Sequence, residues 1–393
     1  MKICLVTGEF PPMHGGVGDY SRCLATALSQ QGCDVSVLTS ARAKPAEVIP
    51  GVEVFPLVSR WDRSCWRTVT RALQQIGPQV VNIQYQAGAF QGSGVVNLFS
   101  VWSRLHQKHR WVITFHDLNP PYLFPKAGLF RKSVLPVTAR MLDAAITTNP
   151  EDNVALRQPS YLIPIGSNIG PPLVTESDRE RQRDRWGVGA SGLLLAYFGF
   201  LTPSKGVETL AQSLRILRLT YPDSVLLMVG GMASDSVASD LSYASQLRRK
   251  IEASDINQNV RWTGFAPSSE VSACLSAADI CVLPFRDGAS FRNGTLVAAI
   301  AHHLVLVTTA QPRNPAVESI AKRSGLMLQD GVNARLAPPQ EPMLLAQAIS
   351  ELARQPEQRR QLRQGMQELS RLTTWETIAT QTIRVYREVL GNA

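Results

Sequence analysis

The stretch "DICVLPFRDGASFRNGTLVAAIAHHLVLVTT" (279–309) decides how this chain is read. "DICVLPF" is an apolar run of strand length, and "LVLVTT" (304–309) is another. Between them "GTLVAAIAHH" (294–303) carries the apolar spacing of a buried helix. A strand, a helix and a second strand in that order describe a crossover between parallel strands. The polar loop "RDGASFRN" (286–293) then falls after a strand and before a helix N-terminus, where open parallel sheets receive ligands.

The same alternation extends in both directions. "LLLAYFGF" (193–200), "SVLLMVGG" (224–231) and "VRWTGF" (260–265) read as buried strands, with helical patterns such as "VETLAQSLRILRLTY" (207–221) between them. A first series precedes these: "ICLVT" (3–7), "DVSVLT" (34–39), "VVNI" (80–83), "WVITF" (111–115) and "AAITT" (144–148). Tyr20, Cys23, Leu24, Ala27 and Leu28 recur at helical spacing, and Gly32 supplies a stop. Between the two series, "SNIGPPLVTESDRERQRDRWGVGASG" (167–192) breaks the pattern with paired prolines, mixed charge and glycines, a domain-boundary signal. The expectation is an α/β protein of two doubly wound parallel-sheet domains, 1–170 and 188–373, followed by the amphipathic helix "TWETIATQTIRVYREVL" (374–390).

Composition agrees with a packed protein: 393 residues, 44% hydrophobic and 18% charged. The six cysteines are scattered without metal-ligand spacing, so buried reduced thiols and a cytoplasmic setting are expected. The N-terminal apolar run is too short for a signal sequence, and no run reaches the ~18 residues of a membrane span. A net charge of +9 favours phosphates, nucleic acid or a membrane surface, or serves only solubility.

Three junctions can carry chemistry besides the opening loop. In "GEFPPMHGGVGDYS" (8–21), Gly15, Gly16 and Gly18 stand at a helix entrance, where N–H groups bind phosphate or where chain geometry alone needs glycine. A dinucleotide fingerprint is disfavoured, since serine stands at the third glycine position. "TFHDLNPP" (114–121) puts His116 and Asp117 at a strand end, where the histidine can donate to a sugar hydroxyl or a carbonyl with Asp117 orienting its ring, or is a structural histidine. In "FGFLTPSKGVETL" (198–210), Lys205 precedes a helix and suits a diphosphate, or is a solvated lysine in a turn. In the opening loop Asn293, Gly294 and Thr295 start the helix, with Arg292, Arg286, Asp287 and Ser290 beside them. Asp-x-Asp, H-E-x-x-H and G-x-S-x-G patterns are absent.

With these residues in view, the chain resembles the family 4 glycosyltransferases of the GT-B fold over essentially its whole length. The matching segments are "PPMHGGVGDYSRCLATALSQQGCDVSVLT", "TFHD", "YFGFLTPSKGVETL", "VRWTGF", "LSAADICVLPF" and "GVNARLAPPQEP" with "LAQAI" after it. The resemblance implies two Rossmann-like domains facing across a cleft, with the last helix crossing back to the N-terminal domain. It implies retaining transfer of a sugar from a UDP- or GDP-linked donor, with no metal or other cofactor and no nucleic-acid partner. Gly16, with Gly15, would approach the donor phosphate, His116 would contact the transferred sugar, and Lys205 would bind the diphosphate together with the amides of Gly294 and Thr295. The leaving phosphate would take the acceptor proton on the same face of the sugar.

The chain departs from the family at charged positions. The usual pair of glutamates falls at Ser290 and Ala298, and the usual arginine at Phe200. Arg292 is expected to restore the positive charge and Asp287 to supply a carboxylate. The alternative is a non-catalytic GT-B protein that binds a nucleotide sugar or a protein partner. A nucleotide-sugar epimerase is a weaker third reading.

Basic and apolar residues mix in "WSRLHQKHRW" (102–111) and "PPYLFPKAGLFRKSVL" (120–135). Such a surface fits peripheral contact with an anionic membrane at the inner face of the cell membrane, or a solvated helix face beside a packing loop. Glycan, lipid-linked and small-molecule acceptors all fit the resemblance.

Overall fold

The computed structural model describes residues 1–13, 15–44, 48–106, 108–122, 130–170, 175–189, 192–231 and 238–391. The chain divides into two compact units. Unit 1 comprises Met1–Gly166, Ala316–Ser324 and Thr374–Ala393; unit 2 comprises Ser167–Pro315 and Gly325–Thr373.

Unit 1 runs β1 (Lys2–Thr7), α1 (Gly16–Gln30), β2 (Asp34–Ser40), β3 (Val52–Val58), α2 (Cys65–Ile76), β4 (Val80–Tyr85), α3 (Val95–His106), β5 (Arg110–Phe115), α4 (Phe130–Met141), β6 (Ala144–Thr147), α5 (Pro150–Ala155) and β7 (Tyr161–Leu162). Its seven strands are ordered β3-β2-β1-β4-β5-β6-β7 and pair in parallel throughout. Successive residues of β1 feed opposite cores. Ile3 and Leu5 pack with Tyr20, Leu24 and Leu28 of α1, whereas Cys4 and Val6 pack with α2, α3 and α4 through residues such as Val69, Phe99 and Leu135. Strands buried on both faces read as continuous apolar runs, which is why the sequence shows them so plainly.

Unit 2 runs α6 (Glu176–Arg185), β8 (Leu194–Phe198), α7 (Val207–Leu217), β9 (Val225–Val229), α8 (Ala238–Glu252), β10 (Val260–Gly264), α9 (Ser268–Ala277), β11 (Ile280–Leu283), α10 (Gly294–Ala301), β12 (Leu306–Thr309), α11 (Pro315–Ser324), β13 (Arg335–Ala337), α12 (Pro342–Arg354) and α13 (Pro356–Ser370). Nearly all of α11 groups with unit 1. The six strands are ordered β10-β9-β8-β11-β12-β13, again parallel.

Two expectations need correction. Unit 2 begins at Ser167 and not at 188, because the charged segment is an ordered helix and not a linker. Thr175 and Asp178 form a capping box on α6, and Arg179 and Arg183 both reach Asp279 (3.1 and 2.9 Å). Asp279 in turn accepts the Leu194 N–H at 2.8 Å, so α6 is tied to the start of β8. The sequence reading also passed over β3, whose Pro56 disguises a strand; at the sheet edge a missing donor is tolerated.

The final helix, α14 (Trp375–Val389), packs on unit 1 as the resemblance implied. Ile378, Ala379, Ile383 and Tyr386 join the core beneath α1. The Tyr386 hydroxyl accepts from Asn82 Nδ2 at 2.7 Å, and Thr114 donates to Asn82 Oδ1 at 3.1 Å. One buried polar chain thus joins the C-terminal helix to β4 and β5.

Candidate functional site

In a doubly wound sheet the strand order reverses at one point, and the loops leaving the two strands there diverge to opposite faces. In unit 2 that point lies between β8 and β11. The loops that follow these strands are bonded together. The Arg286 N–H donates to the Ser204 carbonyl at 2.9 Å. Gly206 has φ +66°, and a side chain there would collide with the Pro284 carbonyl, so the close approach demands glycine twice over. The Lys205 ammonium lies 4.9 Å from the centre of the Phe285 ring. Burial pulls its pKa down to about 8, and no carboxylate pairs with it among the described residues.

The opening of α10 meets the chain as it leaves β8, where a side chain at Gly199 would strike the Thr295 methyl. Asn293 is the N-cap residue but its side chain caps nothing, leaving the N–H groups of Gly294 and Thr295 without intrahelical acceptors. The Thr295 hydroxyl is buried and has no hydrogen-bond partner among the described residues. Arg286, Asp287 and Arg292 are exposed along the loop. Ser290, a polar candidate of the same loop, is turned inward. It is 5% exposed, and its hydroxyl accepts from Arg292 N–H (3.4 Å) and Nε (3.3 Å), so it orients Arg292. Ala298 is 1% exposed. Phe200 and Phe265 are both exposed, and a side chain at Gly231 would touch both rings.

Unit 1 has its switch point between β1 and β4. Here the structure supplies a residue the sequence reading missed. Glu9 Oε1 accepts the N–H groups of Val17 (3.1 Å) and Gly18 (3.2 Å), filling most of the first turn of α1 with an internal carboxylate. A side chain at Gly15 would meet this carboxylate, which would have to shift away. Burial raises the Glu9 pKa, and the two amides oppose that rise. Among the described residues the Gly16 N–H has no acceptor, and a side chain there would meet nothing within 4 Å. The signal was present in the sequence: an acidic residue directly after a strand and before a glycine-rich helix start.

His116 follows β5. Its Nε2 lies 3.0 Å from Gln84 Oε1, its N–H donates to the Tyr85 carbonyl at 2.9 Å, and Tyr20 meets its ring edge-on at 4.5 Å. Asp117 does not orient this ring; its carboxylate accepts from the backbone and side chain of Asn119 (3.2 and 2.9 Å). Burial lowers the His116 pKa to about 3, so the imidazole is a neutral hydrogen-bonding group at physiological pH. Tyr20 also packs on Trp375 of α14 at 5.2 Å, which links the C-terminal helix to the histidine through one ring.

All six cysteines are free, and five are buried. Among the described residues no group of three His, Cys, Asp or Glu side chains could hold a metal ion.

Comparison with known proteins meets this geometry at both units. Residues 15–161 match the family described as "Glycosyl transferase 4-like domain", and residues 192–355 match "Glycosyl transferases group 1". The phosphatidyl-myo-inositol mannosyltransferase of Propionibacterium freudenreichii is 25% identical, covering 74% of this chain and 72% of that protein. Among solved structures, the sucrose-phosphate synthase of Thermosynechococcus elongatus superposes over 100% of both chains with a TM-score of 0.75 at 20% identity. Anabaena HepE, solved in complex with UDP, covers 99% of this chain and 100% of its own with a TM-score of 0.73 at 18% identity. The chain therefore belongs to the family 4 glycosyltransferases of the GT-B fold and is a hexosyltransferase.

Proposed function

We propose that the protein moves a hexosyl group from a UDP- or GDP-linked sugar to a hydroxyl of a glycan or lipid-linked acceptor, with retention and without a metal ion. The observation that carries this reading is the pair of bonded loops at the unit 2 switch point, where Lys205 pairs with no carboxylate among the described residues and no side chain caps the start of α10. A donor diphosphate answers that arrangement. Its oxygens accept from Lys205, from the amides of Gly294 and Thr295, and from Arg292, held by Ser290.

As the bond from the anomeric carbon to the phosphate oxygen breaks, negative charge grows on the leaving diphosphate. The same donors therefore act most strongly in the transition state. The acceptor oxygen forms its bond to the anomeric carbon on the face being vacated, and its proton passes to the departing phosphate oxygen. The products are the glycoside and the nucleoside diphosphate, with no carboxylate nucleophile required. His116, neutral and fixed by Gln84 and Tyr20, hydrogen-bonds a hydroxyl of the transferred sugar, and the Gly16 amide remains for a phosphate oxygen. Asp287 is the exposed carboxylate nearest in sequence to the donor loop and is assigned to a sugar or ribose hydroxyl.

A nucleotide donor is supported by the UDP in HepE, and a lipid-linked acceptor by the phosphatidyl-myo-inositol in the name of the mannosyltransferase relative. The test is a thermal-shift and calorimetric screen of UDP, GDP, ADP and their sugar conjugates, with and without magnesium. Metal-independent binding of one nucleotide sugar, lost in Lys205→Ala, supports the reading. Silence across the panel turns the assignment to a non-catalytic GT-B protein.

A further inference from the structure

One layer of unit 1 has a surface that the sugar-transfer chemistry does not use. Helices α2, α3 and α4 cover one face of the sheet, their inner sides filled by Val69, Phe99 and Leu135. Their outer side is apolar where a solvated helix should be polar. On α3, Leu98, Trp102 and Leu105 are 55%, 37% and 64% exposed, and their i, i+4, i+7 spacing sets them in one stripe. The neighbouring α4 adds Val137 and Met141, 53% and 41% exposed. Trp102 is held in place by stacking on Trp66 of α2 (5.6 Å) and on His106 (4.9 Å).

The charge around the stripe has a single sign. None of the three helices contains an aspartate or glutamate, while they carry Arg67, Arg71, Arg104, Arg131, Lys132 and Arg140. Between Arg63 and Arg140 the sequence has ten lysines and arginines and one acid, Asp117. Arg104 and Arg110 share Asp143 just beyond (2.7 and 3.2 Å), whereas Arg67, Arg71, Lys132 and Arg140 make no ion pair among the described residues. Of the run at 120–135 noted in the sequence, residues 123–129 lie outside the described residues.

We infer that this face lies on an anionic bilayer, with Leu98, Trp102 and Leu105 entering the headgroup boundary and the surrounding cations meeting lipid phosphates. Charge decides the occupant. A second copy of this chain would bring the same cations against these, whereas an anionic headgroup layer complements them. The inference deepens the lipid-linked acceptor proposed above: the surface would bring unit 1 to the plane in which such an acceptor resides.

The test is co-sedimentation of the full chain with phosphatidylcholine vesicles, plain or containing about 30 mol % phosphatidylglycerol. Binding should be at least roughly tenfold greater with the anionic lipid, and should fall about tenfold or more in Leu98→Glu with Leu105→Glu and in Lys132→Glu with Arg140→Glu. All four positions are exposed, and UDP binding, measured separately, reports that each variant is folded. Equal retention by both vesicles, no retention, or binding unchanged in the variants overturns the inference, whatever the nucleotide result. So does a dimer in solution that the Leu98→Glu, Leu105→Glu variant dissolves.

Discussion

The Lys205 ammonium stands 4.9 Å from the centre of the Phe285 ring, and no carboxylate pairs with it among the described residues. Its charge is maintained against desolvation, with a pKa near 8 compared with 10.5 for a free lysine. The folded state therefore binds this proton more weakly than the unfolded state. Its contribution to stability rises with pH between about 8 and 10.5, and the charged form is a cost below that window. Lys205→Met is expected to stabilise the free protein at pH 7 by on the order of 1–2 kcal/mol while removing donor binding. Melting curves and calorimetry on the same samples check both halves.

Donor affinity should also follow this proton. Nucleotide binding is expected to weaken as pH rises above about 8, where the free protein loses the Lys205 charge. Titrations at neutral and alkaline pH measure it, and a flat profile would show that Lys205 does not face the diphosphate.

Arg292 is held by Ser290 and otherwise exposed. Removing a charged hydrogen bond to a ligand costs roughly 1.5–3 kcal/mol, so Arg292→Ala should weaken donor binding roughly ten- to hundredfold. Ser290→Ala should cost less and should leave the melting temperature nearly unchanged. Unaltered binding in Arg292→Ala would remove this residue from the donor site.

Gly206→Ala tests the clasp between the two loops. The left-handed backbone costs a non-glycine residue about 1–2 kcal/mol, and collision with the Pro284 carbonyl adds to that. Both stability and nucleotide affinity should fall, with wild-type behaviour in each indicating that the loops part freely.

His116 is expected to stay neutral through the physiological range, because burial lowers its pKa from 6.5 to about 3. The unfolded state then binds the extra proton first, so stability falls as pH drops below 6.5 and the loss is complete below about 3. Nitrogen-15 NMR of the ring should report neutral imidazole at pH 5.5. A cationic ring there would contradict the assigned role.

Tyr386→Phe removes the oxygen that accepts from Asn82 Nδ2, a side chain with no exposed surface. An unpaired buried donor costs about 1–3 kcal/mol, and denaturant unfolding should show a loss of that size.

Apolar runs, glycine stops and the strand-to-helix junctions were legible in the sequence because buried parallel strands leave continuous hydrophobic segments and helix entrances need special residues. His116, Lys205 and the Asn293–Thr295 turn stand out the same way, by their place just after a strand. Edge strand β3 was hidden by Pro56, and three-residue β13 is too short to show a period. Periodicity reports burial, and neither element is buried on two faces.

What the sequence determined by itself is the alternation of strands and helices, and hence two parallel sheets with ligand loops at their carboxyl ends. Tertiary structure alone decided which side chains answer one another there. It turned Asp117 toward Asn119, buried Ser290 beneath Arg292, seated Glu9 in the first turn of α1, and ran α14 under the histidine through Trp375 and Tyr20. Some of these pairings are local, but others join the two ends of the chain, as in Tyr20 with Trp375 and Asn82 with Tyr386, and strand order sets those. No local pattern encodes a contact such as Asn82 with Tyr386, whose partners meet only once the last helix has packed on the unit 1 sheet.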